Sequence, residues 1–149
     1  MHRLTAHRLT DLVNRFRPAA GRSLFALTSR FGNSQSELER MVADANCQLY
    51  VDTADRFLMH VAHIDPKQSI AHVQFCGVGE FDSILDFLVA LSHEYVLDKI
   101  YSFVFSSEVD EIGLLMRLGF AHEAVFREHL YLNGEYRDIE IYGRLGMTS

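Results

Sequence analysis

Apolar positions change period along the chain. Leu9, Leu12, Val13 and Phe16 recur at helical spacing, predicting a helix over about Thr10–Phe16 after a short strand at Arg3–Thr5. Pro18-Ala-Ala-Gly21 breaks it, and residues 22–31 are apolar enough for a second short helix. Ser36 followed three residues later by Glu39 is a capping-box pattern opening a third helix to about Ala45. The pattern then turns extended. Gln48–Asp52, Arg56–Ile64 and Ser69–Phe75 read as three strands, separated by turn residues at Asp52–Asp55 and Asp65-Pro66-Lys67. Residues 76–80 (CGVGE) form a glycine-bearing loop. Phe81–Tyr95 is a helix, apolar around most of its circumference and hence buried. Lys99–Phe105 lacks polar alternation and reads as a strand buried on both faces. Val109–Leu118 is a helix that Gly119 ends, because a left-handed C-terminal residue is least costly without a Cβ. Val125–Leu132 and Arg137–Leu145 are the arms of a hairpin around Asn133-Gly134, the dipeptide suited to a type I′ turn.

Helices, meandering strands, a helix, a strand, a helix and a hairpin make an α+β domain with a central mixed sheet. A length of 149 residues is most economically one domain, spanning 1–149, and large enough for a real core. Cys47 and Cys76 lie far apart with no CxxC spacing, so neither a disulfide framework nor a zinc ribbon is expected. A reducing compartment, the cytoplasm, is the default. No apolar run is long enough to predict a membrane span.

The net charge of −6 conceals an asymmetry. Residues 1–36 carry six arginines against the single acid Asp11, a net of +5, leaving −11 for the remainder. A basic helical surface is the plainest reading of that segment. An organelle transit segment stays open, and a nucleic-acid arm is disfavoured by the overall acidity.

The ordering of elements, with Leu118-Gly119-Phe120, Arg127, Gly134, Tyr136, Asp138 and Tyr142 at their spacings, resembles the GNAT superfamily of acyl-CoA-dependent N-acetyltransferases. The ribosomal-protein N-terminal acetyltransferase branch is the nearest likeness. The resemblance covers residues 37–145 and implies a GNAT-like fold, acetyl-CoA as acyl donor, a small-molecule or N-terminal primary amine as acceptor, and homodimerisation as one open state. It also implies a donor motif of the form Q/R-x-x-G-x-G/A. Gln74-Phe75-Cys76-Gly77-Val78-Gly79 fits that spacing and stands just before the helix opened by Phe81. Backbone amides there would meet the CoA diphosphate, since a helix start favours an anion. The family's base is often a glutamate on the fourth strand. His72 and Gln74 share one face of the corresponding strand here, and His72 is the candidate base, against its alternative as a structural histidine.

Five acids temper this reading. Glu80 and Asp82 open the helix where a diphosphate would lie, and Glu108, Asp110 and Glu111 follow the fifth strand. Two like charges about 4 Å apart cost ~4 kcal/mol at an effective dielectric of about 20. No lysine or arginine lies between Lys67 and Lys99 to offset the first two. Leu115 stands where the family often places a tyrosine that protonates the leaving thiolate. The alternative function is therefore a non-catalytic GNAT-like module that has lost CoA affinity and serves a protein partner. The acids are otherwise a solvated face or a lure for a cation. Cys76 has no flanking base to activate it and reads as a small loop residue. His60 and His63 fall on opposite faces of a regular strand, so no metal site is expected.

Overall fold

The computed structural model describes residues 1–3, 48–132 and 134–146, without the side chain at position 62. The three helices expected before residue 46 lie outside these residues, as do Cys47 and Asn133. The described elements are β1 (His2–Arg3), β2 (Gln48–Val51), β3 (Phe57–Asp65), β4 (Ile70–Gly77), α1 (Phe81–Glu94), β5 (Lys99–Phe105), α2 (Val109–Arg117), β6 (Ala121–Leu132) and β7 (Glu135–Leu145). The strands form one sheet in the order β1-β2-β3-β4-β5-β7-β6. Every neighbouring pair is antiparallel except β4 and β5, which α1 joins as a parallel crossover.

That parallel pair is incomplete. It comprises Ile70↔Lys99, Ala71↔Ile100 and His72↔Tyr101 and goes no further, although the strands continue to Gly77 and Phe105. Beyond His72, β4 follows β3 as far as Phe57↔Gly77, while β5 follows β7 as far as Phe105↔Ile139. Each strand keeps its antiparallel partner and the two diverge, opening a fork in the middle of the sheet. Backbone groups along the inner edges of the fork thus lack the ladder partner they would have in a closed sheet.

Alternation sends Ala71, Val73 and Phe75 of β4 to the same face as Ile100, Ser102 and Val104 of β5. The main core lies there, where Ile84, Leu88 and Leu91 of α1 and Leu115 of α2 join Val73, Ile100 and Val104. Leu88 and Leu115 are completely buried, and each such side chain contributes about 1.5–3 kcal/mol by leaving water. The opposite face carries Leu58, His60, His72, Gln74, Cys76, Phe103 and Phe105.

Both helices end in local signals. At α2, the Phe120 N–H donates to the Leu115 carbonyl (3.0 Å) and the Gly119 N–H to that of Met116 (3.1 Å), with Gly119 at φ +87°. This pair of bonds is a Schellman motif, and buried Phe120 packs into the core. The end of α1 repeats the device with Val96 at φ +51° and the Leu97 N–H bonded to Ser92 O at 2.9 Å.

Three expectations change. Strand β4 runs to Gly77 rather than Phe75, so Cys76 and Gly77 belong to the sheet and the loop shrinks to residues 78–80. Strand β6 begins at Ala121, not Val125, with register shifts at His122/Ala124 and Phe126/Leu130 that spoil the alternation a sequence reading relies on. The third concerns the histidines. A shift between Val61 and His63 pairs His60 with Gln74 and His63 with His72, putting both on one face. The irregularity reverses the two-residue period, so His60 and His63 are not on opposite faces.

Candidate functional site

A groove of about 240 Å³ lies at the mouth of the fork. One wall is the end of β4 and its exit loop, with Phe75, Gly77, Val78 and Gly79; the other is α2, with Asp110, Glu111, Leu114 and Arg117. Gly77 sits at φ +96°, a conformation that admits glycine at little cost. Gly79 is needed for a different reason. A Cβ there would come within 2.7 Å of the Phe57 ring and 2.8 Å of Ile84, so the loop lies directly on the core. A large residue at Gly79 would therefore disturb the packing as well as the groove.

The loop delivers the chain into α1. Glu80 occupies the N-cap position at φ −75°, ψ 124°, and no side chain caps the helix start. The Glu80 carboxylate instead accepts from the Ser83 hydroxyl at 3.3 Å. Phe81 is half-buried at the first helical position. Of the predicted donor-motif residues, Phe75, Gly77, Val78 and Gly79 line the groove; Gln74 and Cys76 turn their side chains to the opposite face and are buried.

The acids do not all meet here. Glu108 is turned inward, only 7% exposed, and its carboxylate accepts the Phe105 N–H at 2.7 Å, closing the exit of β5. Asp110 and Glu111 line the groove, whereas Glu80 and Asp82 are exposed at the start of α1. Leu115 is fully buried in the core. What the sequence reading missed is Arg117. Asp110, Leu114 and Arg117 follow at intervals of four and three residues, one stripe of α2. The stripe brings the Arg117 guanidinium to 4.9 Å from the centre of the Phe81 ring.

On the other face of the fork, His72 is the last β4 residue paired to β5. Its ring lies 5.0 Å from Phe103, 5.7 Å from Tyr101 and 6.0 Å from His63, centroid to centroid. Burial first, and then the neighbouring His63, hold the His72 pKa below that of a free imidazole. At neutral pH His72 is therefore an unprotonated acceptor. Burial, with Glu111 and Glu108 adding to it, pushes the Cys76 thiol up to about 11, so it stays protonated and is a poor nucleophile. No group of three or more His, Cys, Asp or Glu among the described residues could hold a metal ion.

A second cavity, about 340 Å³, opens where β5 meets the hairpin and includes Ser106, Ser107, Glu128, Tyr136, Arg137 and Asp138. Asp138 accepts the Glu128 N–H at 2.7 Å and so supports Glu128 at φ +47°. Arg137 lies over the Phe105 ring at 5.6 Å.

No family model matches the sequence, and no curated protein matches it. Solved structures do match in three dimensions. A ribosomal-protein alpha-N-acetyltransferase, RimL, in complex with coenzyme A superposes with a TM-score of 0.81 at 15% identity, over 99% of this chain and 94% of that one. An acetyltransferase from Salmonella typhimurium, described as modifying the N-terminal serine of a ribosomal subunit protein, gives 0.77 at 16% identity, covering 97% and 92%. The dodecameric spermidine N-acetyltransferase of Vibrio cholerae gives 0.74 at 20% identity, covering 97% and 91%. With the forked mixed sheet, the two helices on one face and the C-terminal hairpin, these superpositions show that the chain has the GNAT acyl-CoA N-acyltransferase fold.

Proposed function

We propose that the protein is an acyl-CoA-dependent N-acyltransferase, moving an acetyl group from acetyl-CoA to a primary amine. The observation that carries this reading is the fork between β4 and β5, with a glycine-bearing groove and an uncapped helix start at its mouth. Those features suit a long, anionic, amide-containing thioester. Unpaired strand edges offer partners to its amides, and the first amides of α1 favour its diphosphate. The similarity to RimL, whose structure contains coenzyme A, supports the same donor here.

In the proposed reaction the amine nitrogen attacks the thioester carbonyl; an N–C bond forms, the C–S bond breaks, and the sulfur leaves as a thiol with the proton that the attacking nitrogen gives up. The ammonium proton must first be removed. His72 is assigned that role, directly or through water, because it is unprotonated near neutrality and stands at the root of the fork. Two similar proteins are described as acting on a ribosomal-protein N-terminus and on spermidine, so the acceptor class proposed is an N-terminal or small-molecule amine.

The non-catalytic alternative drew on the five acids and on Leu115. Asp110 and Glu111 line the groove with Arg117, Glu108 is held by the Phe105 amide, and Leu115 lies in the core. Isothermal titration with acetyl-CoA decides the donor, with micromolar binding expected. Thiol release from acetyl-CoA with a panel of primary amines then tests transfer. Absence of binding up to millimolar acetyl-CoA would end the enzyme reading.

A further inference from the structure

We propose that His63 and His72 together form a binding site for a divalent transition-metal cation such as zinc, on the face of the sheet opposite α1 and α2. The pair exists because of the irregularity in β3. The shift after Val61 sets His63 directly across from His72 on the neighbouring antiparallel strand. Side chains so placed start from Cβ atoms about 4.5–5.5 Å apart, a spacing the two backbones hold fixed. The rings lie 6.0 Å apart between centroids, at 89° to each other. Imidazole nitrogen binds zinc at about 2.0–2.1 Å, so two rings sharing one ion have centroids roughly 5–6 Å apart. A turn of the His63 side chain, which is exposed, is enough to bring both lone pairs round one ion.

The surroundings suit a cation bound by neutral imidazole. Neither ring makes a hydrogen bond or ion pair among the described residues, so no existing partner has to be given up. His72 is the less protonated of a usual histidine at neutral pH, and metal binding requires the unprotonated ring. Tyr101 and Phe103 flank His72 and offer no competing charge. The cation on this face is Lys99, over the Tyr101 ring at 4.9 Å, and the Glu123 carboxylate pairs with it. Nitrogen ligands of this kind select zinc, copper(II) or nickel(II) over magnesium or calcium. Two protein ligands are fewer than a resident zinc site uses, so water completes the coordination and binding is reversible. A metal on His72 occupies the lone pair that would accept the amine proton. The cation is thus an inhibitor of the proposed transfer, and that consequence alone rests on the assignment of His72 as base.

The test is calorimetric titration of the whole protein with ZnCl2 at pH 7.5 in a non-chelating buffer, for the wild type, His63→Gln and His72→Gln. The wild type is expected to hold zinc at a site that either substitution weakens by about tenfold or more. His63 is exposed, so the melting temperature of His63→Gln should stay near that of the wild type. Zinc should also slow acetyl transfer by the wild type, EDTA should reverse this, and His63→Gln should resist it. Failure of the wild type to bind zinc would overturn the site. So would binding by both variants with the affinity and stoichiometry of the wild type. Zinc binding that needs both histidines, in a protein that transfers no acetyl group, would uphold the site and end the enzyme reading instead.

Discussion

His60 shows how one residue ties the fold to pH. It is 2% exposed, and burial lowers its pKa from 6.5 to about 4. The unfolded chain binds a proton here at a higher pH than the folded one, so stability is full above about 6.5 and falls as the pH drops towards 4. The difference corresponds to on the order of 3 kcal/mol. Urea unfolding at pH 7.5 and 4.5 should show this loss in the wild type and a smaller one in His60→Gln; equal losses in the two proteins would remove His60 as the cause. His72, nearer the surface and lowered in the same direction, makes the same kind of contribution. Ser102 belongs to this scale too. It is 1% exposed, and its hydroxyl has no hydrogen-bond partner among the described residues, at the point where β4 and β5 part.

Among the elements, the two helix ends are the same motif made with different residues. Gly119 adopts its positive φ without a Cβ penalty, whereas Val96 does so with a β-branched side chain that is 66% exposed. A left-handed L-residue costs about 1–2 kcal/mol, partly offset on changing to glycine by the freer unfolded chain. Val96→Gly is therefore expected to stabilise the protein by about 1 kcal/mol, raising the melting temperature by about 2–4 °C. A lower melting temperature would mean that the exposed valine makes contacts worth more than its strain. Gly119 was legible in the sequence because a helix end is decided within a few residues. The signal at Val96 was not, since valine is disfavoured in that conformation and only the surrounding bonds impose it. The histidines of β3 were misplaced for a related reason: alternation locates a side chain only while the ladder stays regular, and the shift after Val61 breaks it.

On the scale of the whole molecule, the fork is a consequence of two antiparallel ladders competing for strands that are parallel to each other. Strand β4 stays with β3 and β5 with β7, and the groove lies between the end of β4 and α2, the helix that follows β5. A ligand bound across it joins both halves of the sheet and should stabilise the folded state as a unit. At a hundred times its dissociation constant, acetyl-CoA is expected to add about 2.7 kcal/mol, or roughly 5–11 °C in melting temperature for a domain of this size. A thermal melt with and without acetyl-CoA reads this directly, and no shift at saturating ligand would contradict binding at the fork.

The sequence by itself determined the order of elements from Gln48 onward, the α+β class, the helix end at Gly119 and the strand-loop-helix frame of Gln74–Phe81. Each of these depends on local backbone preference or on the period of apolar positions, which are properties of short stretches. Only the tertiary structure decided which charged groups share the groove. Glu108 is drawn away to the Phe105 amide, Asp110 and Glu111 remain, and Arg117 arrives over Phe81 because α2 crosses the end of β4. Electrostatics at a site depends on distances through space, and those are set by how the sheet forks and where α2 packs, not by the spacing of charges along the chain.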